Sequence, residues 1–107
     1  MLASHPAQPV FRALADPTRR AIIELLAERP RSIGDVAAEF DVTRNAIVKH
    51  LAILAESGLV GVEPKGRERI NYLKPEALRS AADWLNYFDR FWDERLAALK
   101  SAVEEKK

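Results

Sequence analysis

The chain has 107 residues, 48% of them hydrophobic, with 17 Lys and Arg against 16 Asp and Glu for a net charge of +1, the make-up of one ordinary globular domain. It has no cysteine, which excludes disulfides, thiolate metal sites and cysteine nucleophiles, and its two histidines leave little for metal or acid–base chemistry. There is no apolar run of about 18 residues to span a membrane, and Met1 to Pro9 carry neither a basic nor an apolar leader region. A cytoplasmic, non-catalytic domain with no signal peptide, no membrane partner and no cofactor is therefore expected.

The start, through Pro6 and Pro9, reads as frayed. Val10 to Ala15 reads as a short helix with Phe11 and Leu14 one turn apart. Asp16-Pro17 restarts the chain, since Asp is a good N-cap and Pro suits the first helical position. The helix that follows places Ile22, Ile23, Leu25 and Leu26 on one face and stops near Arg29-Pro30. Ser32 to Asp35 has the spacing of a capping box, with Asp in place of Glu or Gln, and opens a short helix with Ile33, Val36, Ala37 and Phe40 inward. After a break at Asp41-Val42, Thr43 is the next N-cap candidate. Ile47, Leu51 and Leu54 then recur at helical spacing as far as Gly58, a residue suited to a left-handed C-cap.

The period changes beyond Gly58. Leu59 to Glu63 and Arg69 to Leu73 read as two strands around a turn at Lys65-Gly66-Arg67-Glu68. Pro75 then opens a long C-terminal helix, over about residues 75–105. The fold class expected is mainly α with a β-hairpin, in the order α-α-α-α-β-β-α, as one domain over residues 1–107.

Two short helices joined by a tight break and followed by a hairpin are the parts of a winged helix-turn-helix. If Ile47 and Leu51 pack against the preceding helix, the opposite face of the second helix projects Arg44, Asn45, Val48 and Lys49. Arg and Lys can donate to guanine O6 and N7, and Asn can pair with adenine. The candidate DNA-binding set is Thr43, Arg44, Asn45, Val48, Lys49 and His50 from the helix, with Lys65, Arg67 and Arg69 from the wing. His50, beside the apolar Leu51, is open to either a packing role or base contact. Arg44 to Lys74 holds six bases against three acids, a modestly basic middle suited to phosphates. A winged helix serving only as a protein-interaction module, without DNA binding, is the alternative.

Phe11-Arg12-Ala13-Leu14-Ala15-Asp16-Pro17-Thr18-Arg19, the stretch Thr43 to Leu54 with Glu56-Ser57-Gly58-Leu59-Val60, and the wing Lys65 to Tyr72 resemble the ArsR/SmtB family of winged-helix repressors. The resemblance covers Val10 to Leu73. It implies a homodimer that binds an inverted-repeat operator in double-stranded DNA, represses transcription, and releases the DNA when an inducer binds. That inducer would be a small molecule that no residue here identifies. Within the resemblance Arg19 stands for either a phosphate contact or an intramolecular salt bridge. Metal-sensing members carry a Cys-x-Cys pair where this chain has Ser32 and Gly34, or His-containing sets on the last helix, which here has no His. The chain thus resembles a cysteine-less subgroup, and a carboxylate-only set from Asp83, Asp89, Asp93 and Glu94 reads as a solvated face rather than a metal site. From residue 81 onward Trp84, Leu85, Phe88, Phe91, Trp92 and Leu96 form a wide apolar stripe. With Phe11 and Leu14 they are the expected dimer interface, because obligate interfaces resemble a core cut in half.

Overall fold

The computed structural model describes residues 5–105. The reading of the chain's first residues as lacking a leader falls partly outside that range, at residues 1–4. The element order is α1 (Gln8–Leu14), α2 (Pro17–Glu28), β1 (Arg31–Ser32), α3 (Ile33–Ala37), α4 (Arg44–Glu56), β2 (Val60–Lys65), β3 (Glu68–Leu73), a 3₁₀ turn at Pro75–Ala77, α5 (Leu78–Asn86) and α6 (Asp89–Glu105).

The starts of α2, α3 and α4 each have a local chemical cause. The Asp16 carboxylate accepts from Arg19 N at 3.1 Å, Ser32 Oγ from Asp35 N at 3.1 Å, and Thr43 Oγ1 from Ala46 N at 3.1 Å. Each bond satisfies one of the N–H groups that a first helical turn leaves unpaired. Helix α4 ends at Gly58, whose φ of 85° is the left-handed conformation that spares glycine alone a Cβ penalty.

The helices enclose a core in which Ile22, Val36, Ile47, Leu54 and Leu59 are fully buried. Helix α4 packs against α2, α3 and β2, with Ile47, Leu51 and Leu54 on the buried side. The wing is an antiparallel β2–β3 hairpin that pairs Val60 with Leu73 and Lys65 with Glu68. Its two-residue turn begins at Gly66, φ 64°, followed by Arg67 in the ordinary half of backbone space, the pattern of a type II′ turn matched to strand twist. The Tyr72 ring lies across Gly61 where a Cβ would sit, an aromatic cover for a strand glycine.

Four features differ from the sequence reading. Pro6 and Pro9 are not frayed: Ala7 N donates to His5 Nδ1 at 3.0 Å, and Ala7 and Val10 are buried. The sheet has three strands in the order β1-β3-β2, because Arg31-Ser32 pairs with Asn71 and Ile70. The strands are longer than expected and run on through Lys65 and Glu68, whose pairing closes the expected Lys65-Gly66-Arg67-Glu68 turn. The C-terminal helix is two helices, separated by Tyr87 and Phe88. There Phe88 N bonds Leu85 O at 3.1 Å and Phe91 N bonds Phe88 O at 3.0 Å, a tightened i−3 pattern. Asn86 weakens the first helix and Asp89 favours the start of the second.

Leu54 is fully buried, so Leu54→Ala is expected to lower unfolding free energy by about 2–5 kcal/mol. Thr43→Ala, which removes only the α4 cap, should cost about 0.5–2 kcal/mol. Urea titration at fixed protein concentration, followed by helical circular dichroism, measures both.

Candidate nucleic-acid interface

Burying Ile47, Leu51 and Leu54 fixes the roll of α4 about its axis, and everything on its far side is exposed. Thr43, Arg44, Asn45 and Lys49 are all exposed, as is Val48 at 42%. Lys65, Arg67 and Arg69 are exposed on the wing. Arg44, Arg67 and Arg69 line one pocket with the start of α3, so the wing and the beginning of α4 border one concavity. A helix bearing side chains of this kind fits the major groove, which is about 12 Å wide.

His50 is different, being half-buried and turned inward. Its Nδ1 lies 3.4 Å from Arg19 Nη1 and 4.0 Å from Asp16 Oδ2. Arg19 in turn donates from Nε to Ala13 O at 2.6 Å and from Nη2 to Arg12 O at 3.2 Å. Its guanidinium thus caps the last turn of α1 and touches α4 through His50. Of the two roles open for Arg19, the intramolecular one is occupied, through carbonyls and an imidazole rather than a carboxylate. Asp16, Arg19 and His50 form a polar joint between α1, α2 and α4.

Two further residues escaped the sequence reading. Arg31 is 6% exposed and Asn71 2%. Arg31 Nε donates to Leu25 O and Nη2 to Glu28 Oε1, both at 3.3 Å, closing the end of α2. Asn71 Nδ2 donates to Arg31 O at 3.3 Å and ties the wing to that end. Arg31 follows a proline and Asn71 stands mid-strand, and nothing local marks either as buried.

The aromatic residues of the C-terminal stripe are all exposed, from 37% at Phe88 to 67% at Trp92, whereas the α1 part of the expected interface is not. Phe11 and Leu14 are half-buried against the chain's own core, and Phe11 meets Trp84 edge to face at 5.5 Å. Trp84 continues to Phe88 at 4.9 Å. Beyond the break Trp92, Leu96, Leu99 and Val103 are exposed by about 60% or more, and α6 buries no residue. Among the described residues no three His, Cys, Asp or Glu side chains come together as a metal cluster, and no helix is long and apolar enough to cross a membrane.

A helix pair, a sealed second helix with a polar outer face, and an adjoining basic hairpin define a winged helix-turn-helix module. Residues 14–63 match a family described as a helix-turn-helix domain. The chain is 37% identical to the HTH-type transcriptional regulator Rv2034 of Mycobacterium tuberculosis, over 88% of this chain and 85% of that protein. It is 33% identical to the transcriptional repressor SdpR of Bacillus subtilis, over 76% of this chain and 91% of that protein. An ArsR-like transcriptional regulator from Rhodococcus sp. RHA1 has a similar solved structure, with a TM-score of 0.78, 34% identity, and coverage of 98% of this chain and 97% of that one. The chain belongs to the ArsR family of helix-turn-helix transcriptional regulators.

The polar joint makes stability depend on pH. Asp16 is held below its ordinary 3.8, first by the Arg19 N–H it accepts, with desolvation opposing and the charge of His50 adding to the lowering. A carboxyl whose folded pKa is depressed contributes stability that is present above the unfolded value and lost as pH falls through the folded one. Asp16→Asn keeps a capping acceptor and lacks this titration. Wild type is expected to lose stability relative to Asp16→Asn as pH drops below 3.8, read from urea midpoints at about pH 5 and about pH 3. A gap that stays constant would assign the capping no charge component.

Proposed function

We propose that the protein is a homodimeric transcriptional repressor that binds an inverted-repeat operator in double-stranded DNA, acting in the cytoplasm without catalysis or a cofactor. The observation that carries this reading is the orientation of α4. One side is sealed by Ile47, Leu51 and Leu54, and the other presents Asn45, Val48 and Lys49 beside a basic wing. In this reading Lys49 donates to guanine, Asn45 pairs with adenine, and Val48 makes an apolar contact such as one with a thymine methyl. Thr43 and Arg44 stand at the groove edge, while Lys65, Arg67 and Arg69 hold the backbone or minor groove. His50 supports α4 through Asp16 and Arg19. The repressor assignment is in keeping with SdpR, whose name describes it as a transcriptional repressor.

Self-association is supported by the shape of the single chain. Its radius of gyration is 19.1 Å and its longest extent 67 Å, whereas a compact chain of this length has a radius of about 13 Å. The excess is the projecting α6, with Trp92 67% exposed and Leu96 60% exposed. A second copy laid along α5 and α6 removes that apolar surface from water at both subunits. A two-fold axis there also sets two α4 helices at the spacing of successive major grooves, about 34 Å.

Lys49→Ala is expected to weaken operator binding by about 1–3 kcal/mol and to relax base preference. Arg67→Ala should weaken binding to all sequences alike and lower the salt slope by about one. Gel-shift titrations at two salt concentrations separate these outcomes, and unchanged affinity in both variants contradicts the assignment of α4.

Trp92→Ala tests the dimer. Because Trp92 is largely exposed in the single chain, the monomer should keep its helical spectrum. The lost interface contact, worth about 3–5 kcal/mol for a large buried aromatic and repeated by symmetry, should shift sedimentation to monomer and reduce operator binding steeply. A wild type that sediments as a monomer at micromolar concentration with full operator affinity would overturn the dimer reading.

A further inference from the structure

The pocket between the start of α3, the start of α4 and the wing has a volume of about 270 Å³, and Ser32, Gly34, Arg44, Arg67, Glu68 and Arg69 are among its walls. Three arginines from two separate elements therefore share one concavity. Neither of the two ion pairs among the described residues, Arg31–Glu28 and His50–Asp16, involves any of the three, so Glu68 shares the pocket without pairing to them. Arg44 is drawn back toward α3: a Cβ on Gly34 would lie 3.8 Å from Arg44 Nη1 and 3.9 Å from Ser32 Oγ. Guanidinium groups gathered around one space repel each other unless an anion lies between them. Their planar forks match the oxygens of a phosphate group in bidentate fashion. The pocket is smaller than the roughly 300–1,000 Å³ that houses drug-sized ligands, which suits one small oxyanion.

We propose that this pocket is a seat for a single phosphate-type oxyanion, clamped by Arg44 from the helix and by Arg67 and Arg69 from the wing. The phosphate can come from the DNA backbone or from a free phosphorylated small molecule. Its use on DNA rests on the reading above, but its affinity for a free phosphate does not. On DNA, Arg44 then fixes register at a backbone position and leaves base discrimination to Asn45, Val48 and Lys49.

Calorimetric titration of the full chain with pyrophosphate at low ionic strength tests the seat without DNA. One site per chain is expected, weakened about tenfold or more by Arg44→Ala or Arg69→Ala. Gly34→Asp, at an unstrained backbone position, sets a carboxylate against Arg44 and should block the site with every arginine in place. Glu68→Gln should tighten it, and Lys49→Ala, outside the pocket, should leave it unchanged. No pyrophosphate binding, or equal binding by wild type and the arginine variants, overturns the proposal. On duplexes of varied sequence, Arg44→Ala should lower affinity uniformly and reduce the salt slope by about one. A change in base preference with an unchanged slope overturns the backbone role. Pyrophosphate bound at the seat by a protein that binds no duplex would contradict the DNA reading and leave the seat standing.

Discussion

Everything that can reach a ligand in this protein depends on how α4 is rolled. Ile47 and Leu54 are fully buried and Leu51 nearly so, in a core shared with Ile22 and Val36. Turning the helix to bring Asn45 or Lys49 inward would expose those three side chains and bury polar ones. Each large aliphatic group taken from the core costs about 1.5–3 kcal/mol in transfer alone. The apolar spacing of α4 thus determines which residues face outward, and the Thr43 cap determines where the outward face begins. The wing follows from the opposite end of the helix, where Gly58 turns the chain into β2.

A second set of contacts carries that orientation to the rest of the chain. Arg19 closes α1, touches His50 on α4 and receives its place from Asp16 at the head of α2. Arg31 closes α2 and anchors Asn71 in the wing. These are polar joints at helix ends, where the last carbonyls keep acceptor capacity that the helix does not fill. A charged arginine supplies several donors from one side chain, which explains why two buried or half-buried arginines are tolerated in so small a core. By contrast, among the described residues the one side-chain hydrogen bond of α6 is local, from Arg90 Nη2 to the Tyr87 hydroxyl at 3.0 Å, and its apolar residues form a surface that a second copy can cover.

What the sequence made legible were the features with a local cause. Asp16, Ser32, Thr43 and Gly58 each act on backbone groups within three or four residues, so their spacing alone located four helix ends. The buried face of α4 was legible from periodicity. The pairing of Arg31 with Asn71 was not, because a two-residue strand has no periodicity and its partner lies 40 residues away. The break at Tyr87-Phe88 was hidden for another reason. It contains neither proline nor glycine, and the aromatic spacing runs through it unbroken. At the interface, sequence spacing placed Arg44 among base-reading residues, while only the fold brings it together with Arg67 and Arg69. His50 was named beside them, yet its ring nitrogen is turned toward Asp16 and Arg19.

Hydroxyl-radical footprinting of the wild-type chain on the DNA upstream of its own gene tests the central claim most directly. A dimer presenting two α4 helices should protect two symmetry-related patches whose centres lie about one helical turn, 10–10.5 base pairs, apart or a multiple of it. A single protected patch with no symmetry mate, or no protection at protein concentrations that saturate random duplex, would contradict the account.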